Sequence, residues 1–129
     1  MLQLTPAVRI FLASSPTDMR NSIDGLSAIV QNQWGEDVFS GHLFVFVSRR
    51  GDRVKILTWG NGGFVLYYKR LEQGRFRLPS IAPDARHVTL DATQLAMLLD
   101  GIDYCRVRQP KRWAPQKKAH EGIDKGARI

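Results

Sequence analysis

The sequence predicts an α+β domain: an antiparallel sheet of four to five strands, one long helix on one face, and a short second helix. Two observations carry that prediction. Apolar residues recur every three or four positions over 19–33, the mark of a one-faced helix. Three β-branched and aromatic runs, separated by tight turns, fill 43–68 as an antiparallel meander. The 129 residues suit one domain and can bury a core without disulfides or metals. The tight consecutive turns leave a small barrel as the rival architecture.

The elements follow in order. Val8-Arg9-Ile10-Phe11-Leu12 reads as a first strand. Ser14 to Asp18 supplies a helix start, with Thr17 or Asp18 as the capping residue. The long helix then spans about 18–33, with Met19, Ile23, Leu26, Ile29, Val30 and Trp34 on one face. Gly25 within it costs about 1 kcal/mol against alanine, which implies a close packing contact. Gly35 ends it.

Leu43-Phe44-Val45-Phe46-Val47 is an unbroken apolar run, as expected of a central strand covered on both faces. Arg49-Arg50-Gly51-Asp52 forms a turn, and Arg53 to Trp59 the next strand, with Arg53 and Lys55 on one face. Gly60-Asn61-Gly62-Gly63 turns the chain into Phe64 to Tyr68. Arg75-Phe76-Arg77 alternates as a short strand would. His87 to Leu90 forms an edge strand, and Asp91 or Thr93 caps a helix over about 92–99 that Gly101 ends. The domain is expected to cover 1–113. Residues 114–129 lack apolar anchors and are expected to form a mobile basic tail.

Charge is the most informative quantity. There are 19 Lys+Arg against 12 Asp+Glu, a net +7, and the excess is segregated. Residues 1–44 carry −2, 45–78 carry +6, 79–103 carry −3 and 104–129 carry +6. Segregation of this kind builds a local positive potential and points to a polyanionic partner. Arg49, Arg50, Arg53 and Lys55 surround one turn, with Lys69, Arg70, Arg75 and Arg77 close in sequence. A basic β-ribbon gathers phosphates and can enter a major groove. A second candidate is the segment bearing Arg106, Arg108, Lys111 and Arg112, with Trp113 among them. The competing explanations are a solvated sheet face, with Asp52 and Glu72 pairing locally, and a solubilising tail.

No convergent catalytic site can be assembled. Asp18 and Asp24 are six apart and fall on different helix faces. Asp52 and Lys55 resemble a nuclease pair only superficially, being out of phase on a strand with no second acid before them. His42, His87 and His120 are isolated and lack ligand spacing for zinc. Cys105 has basic neighbours but no base partner. No cofactor or metal is implied. The single cysteine fits a reducing cytoplasm, no leader pattern is visible, and no apolar run approaches the roughly 20 residues of a membrane span.

Taken together, the stretches Pro16-Thr17-Asp18-Met19-Arg20, Asp24-Gly25-Leu26, Gly41 to Phe46 and Arg49 to Leu57 resemble the Orf2-like (TnpB) accessory proteins of IS66-type insertion sequences. Trp59, Gly63-Phe64, Lys69 to Phe76, Leu95 and Leu98 to Asp103 complete the pattern in order, over roughly 5–113. Two positions depart from the family's habit: Gly60-Asn61 stands where relatives are more acidic, and Tyr104 where tryptophan is commoner. The resemblance implies a non-enzymatic role in transposition, at element ends, beside a larger transposase and a second small accessory protein. It supplies no catalytic residues. An adaptor that contacts only transposase, and a small nuclease, are the alternative functions.

Overall fold

In a computed structural model the chain is described over residues 7–79, 81 and 84–100. The strands are β1 (Ile10–Ala13), β2 (Leu43–Val47), β3 (Arg53–Gly60), β4 (Gly63–Arg70) and β5 (His87–Leu90). Helix α1 (Ile23–Ala28) continues as a π-helical turn, Ile29–Gln33, and α2 spans Ala92–Leu99. The five strands form one open sheet in the order β4-β3-β2-β1-β5. The open order, with a distinct strand at each edge, replaces the barrel alternative.

The sheet is mixed, which corrects the expected all-antiparallel arrangement. β1 runs parallel to β2, pairing Ile10 with Leu43 and Leu12 with Val45, while the other three pairings are antiparallel. A parallel neighbour requires a crossover, and the helix between β1 and β2 is that crossover. The predicted meander over 43–68 is present as β2, β3 and β4. The edge strand His87–Leu90 also falls where the sequence placed it.

Alternation divides the core into two layers. Phe11, Phe44, Phe46 and Leu57 face α1 and pack with its Leu26 and Val30. Ile10, Leu12, Leu43, Val45, Val47, Val54 and Ile56 face the opposite side and pack with Leu95 and Leu98 of α2 and with Phe76. All five residues of β2 are therefore buried, as the apolar run predicted. The first helix thus lies on one face, as expected, and α2 covers the other.

The first helix is shorter than its expected span of 18–33: it begins at Ile23, and Ser22 occupies the capping position without a side-chain bond. The Met19 and Asn21 carbonyls, which would have accepted amides of the first helical turn, accept from the Lys55 ammonium at 2.8 Å each. Asp18 folds back instead. Its carboxylate accepts from the Arg20 amide and guanidinium, and its carbonyl accepts from the Asn21 amide. A Cβ at Gly25 would collide with the Asn21 side chain, the close contact the sequence implied. The helix stops at Gly35, φ +67°, with Trp34 stacked on Phe46 at 5.2 Å between ring centroids.

The second helix matches its prediction. Asp91 caps it, accepting from the Gln94 amide at 2.7 Å while Gln94 returns a bond to the Asp91 amide, a reciprocal box. Arg75 to Arg77 forms no strand, although the alternation is as read, with Phe76 buried between exposed arginines. Gly101, the predicted domain boundary at 113 and the basic tail lie outside the described residues.

Phe44 is fully buried, stacks on Phe11 at 5.5 Å and meets Trp34 at 6.1 Å. Phe44→Ala is expected to cost about 3–5 kcal/mol of unfolding free energy, measured by chemical denaturation.

Candidate nucleic-acid interface

Parallel pairing brings the C-terminal ends of β1 and β2 to one end of the sheet. Antiparallel pairing adds the start of β3, the end of β4 and the start of β5. The Ser14–Asp18 loop and the Ser48–Asp52 turn leave from that end, and both are polar. The Ser48–Asp52 turn is held by the Gly51 amide donating to Ser48 O, the Ser48 amide donating to Arg53 O, both at 2.9 Å, and the Arg53 amide donating to Ser48 Oγ at 3.1 Å. Gly51 takes φ +79°, the left-handed backbone that the turn requires.

 The return segment is pinned to this turn, because the Leu71 amide donates to Asp52 O and the Phe76 amide to Gly51 O, both at 2.7 Å. Arg75 therefore lies against Gly51, whose position a Cβ would bring to 3.5 Å from the Arg75 side chain.

The structure divides the eight predicted cations of the central segment. Arg49, Arg50, Arg75 and Arg77 are exposed around the turn, and Arg53 is half-buried at the start of β3. None of these five makes an ion pair among the described residues. Lys55, Lys69 and Arg70 are engaged elsewhere. Lys55 donates to Met19 O and Asn21 O and sits 5.4 Å from the centre of the Tyr68 ring. Lys69 donates to Leu99 O at 2.7 Å, at the negative end of α2. Arg70 holds Glu72 at 2.9 Å on an exposed surface, the local pairing that the charge pattern allowed for Glu72. Asp52 accepts from the Ser48 hydroxyl at 3.3 Å. Arg106, Arg108, Lys111 and Arg112 lie outside the described residues, as do Cys105, Trp113 and His120.

The same end of the sheet also carries an open groove of about 620 Å³, between the Ser14–Asp18 loop, Trp34 and Arg86. Arg86 spans it, donating to Gln33 O at 2.8 Å. Sequence reading missed this groove, because Arg86 stands alone in an acidic segment and only the pairing of β5 with β1 brings it here. At Asp18 the Arg20 guanidinium, then the Arg20 amide, lower the carboxyl pKa from 3.8 to about 2.

The remaining candidates have structural partners. His42 Nδ1 accepts the Arg9 amide at 3.0 Å. His87 packs edge-on to Phe11 at 5.2 Å and lies 3.7 Å from a Glu36 oxygen. Asn61 (φ 51°) and Gly62 (φ 80°) make the tight turn of the β3–β4 hairpin. Among the described residues no three His, Cys, Asp or Glu side chains converge as metal ligands, and no helix is long and apolar enough to cross a membrane.

The described residues thus form an open mixed sheet with an arginine-rich turn at one end. The IS66 Orf2-like protein family matches residues 8–109, and the chain belongs to that family. Two relatives in Sinorhizobium fredii (strain NBRC 101917 / NGR234) extend the likeness across the chain. The uncharacterized protein y4jC is 32% identical over 119 residues, covering 92% of this chain and all of its own length. The uncharacterized protein y4hO is 38% identical over 119 residues, covering 91% of this chain and 98% of its own. No solved structure matches.

Two outcomes follow from this geometry. Lys55→Met is expected to lower stability by about 2 kcal/mol, because two carbonyls lose a charged donor, whereas Arg49→Ala is expected to stay within about 0.5 kcal/mol in the same denaturation assay. Separately, the Asp18 carboxyl should titrate near 2 by NMR and return towards 3.8 in Arg20→Ala. Its folded-state pKa is depressed, so its stabilising contribution is complete above 3.8 and disappears as pH falls towards 2.

Proposed function

We propose that the chain assists transposition by binding DNA through the arginine-rich end of its sheet, at the ends of the element and beside the transposase. The observation that carries this reading is the set Arg49, Arg50, Arg53, Arg75 and Arg77, gathered around one pinned turn without carboxylate partners among the described residues. Like charges held this close repel one another, and a polyanion relieves that repulsion while releasing its own counterions. Guanidinium groups also suit phosphate, since their planar fork offers two parallel donors. Family membership supports the transposition context. Membership of that family also supports an accessory role without chemistry of its own.

The measurement is a gel-shift series with element-end and scrambled DNA, with and without transposase, across salt. Direct binding should weaken with salt at a log–log slope of about −4 to −5 for five phosphate contacts. Replacing Arg49, Arg50, Arg53 and Arg75 by alanine should remove retention at moderate salt. Full retention by that variant would reject this surface and leave Arg106, Arg108, Lys111 and Arg112 as the contacts. Retention that requires transposase would favour the adaptor reading instead.

A further inference from the structure

Five large apolar side chains stand well exposed among the described residues, and three of them lie on one strand: Val65 at 47%, Tyr67 at 43% and Tyr68 at 50%. That strand, β4, is eight residues long, ends the sheet, and has β3 as its one paired neighbour among the described residues. One row of its amides and carbonyls is therefore open. Proteins blunt such edges with shortness, charge, proline or a bulge. The opposite edge, β5, is only four residues long. β4 has none of these devices over Phe64 to Tyr68: the stretch is uncharged and proline-free, and its register with β3 runs unbroken from Arg53–Arg70 to Gly60–Gly63.

We propose that β4 is the seam of a homodimer, in which a second copy of the chain adds its own β4 antiparallel and makes one ten-stranded sheet. The charge distribution selects this occupant. Both charges of β4, Lys69 and Arg70, stand at one end. A two-fold axis normal to the sheet opposes residues of the same face. With Leu66 at the axis, Val65 meets the second copy's Tyr67, Phe64 meets its Tyr68, and Lys69 meets its Gly63. Every apolar side chain gains an apolar partner and no cation meets another. Parallel pairing would set Lys69 against Lys69 and Arg70 against Arg70. Moving the axis to Tyr67 would set Lys69 against Val65 and Arg70 against Phe64, desolvating both cations. Nothing in the seam overlaps the arginine-rich turn, so it does not depend on the DNA reading.

Sedimentation equilibrium of the full chain without DNA tests it. The expected mass is twice that of the chain at submillimolar concentration. Val65→Lys with Tyr67→Lys places lysine opposite lysine at both sites and should halve the mass while the circular-dichroism spectrum is kept. Val65→Lys with Tyr67→Glu places lysine opposite glutamate at both sites and should remain dimeric. A monomeric natural sequence overturns the proposal. If the β4 amides of that monomer are protected from exchange, the chain's own residues 101–129 are the cover; if mass is gained only on adding transposase, the edge serves that protein. A dimer indifferent to the double lysine change, or a lysine–glutamate variant that dissociates as fully, also overturns it.

Discussion

The constraint on which the rest of the structure depends is the burial of β2 on both faces. Five consecutive apolar residues cannot leave one side of a sheet in water, so the fold must cover each. Phe44 and Phe46 demand one layer and α1 provides it; Leu43, Val45 and Val47 demand another, provided by α2 and Phe76. The α1 layer is laid down by the connection between β1 and β2, which makes those strands parallel and sends their C-terminal ends the same way. The polar turns then have nowhere to go but the ends of the sheet. The arginine-rich turn is positioned by this packing requirement acting several residues away.

Much of this was legible in the sequence, for physical reasons that differ from element to element. The hairpins were readable because turn chemistry is local: Asn61-Gly62 and Gly51 announce backbone conformations that their neighbours need. The cap at Asp91, one of the two residues the sequence offered, was readable for the same reason, since it binds an amide three residues away. The apolar run of β2 revealed its double burial directly. The orientation of β1 was not readable, because a strand's own pattern does not name its neighbour. The start of α1 was misplaced because the group that claims Met19 O and Asn21 O is Lys55, more than thirty residues further on.

The charge reading shows the same division between local and distant causes. A tally of Lys and Arg located the basic segment but could not say how each cation is employed. Lys55 and Lys69 project compact ammonium groups inward to backbone carbonyls at the margins of the two helices, so part of the basic character is architectural. The arginines around Gly51 have no such duty among the described residues. Pinning Leu71 and Phe76 to the turn then brings Arg75 to residues that precede it by more than twenty positions. Only the pairing of β3 with β4 reveals that adjacency.

The inequality of the two sheet margins has a consequence for how far association can go. A sheet with two long, open sides can recruit chain after chain and grow into a fibre. Here β4 offers eight residues and β5 only four. Among the described residues, a strand on the long side leaves β5 as the outer strand, with half as much backbone to hold another molecule. Growth is thus self-limiting, and a protein of this shape can join an assembly of fixed size without seeding an endless one.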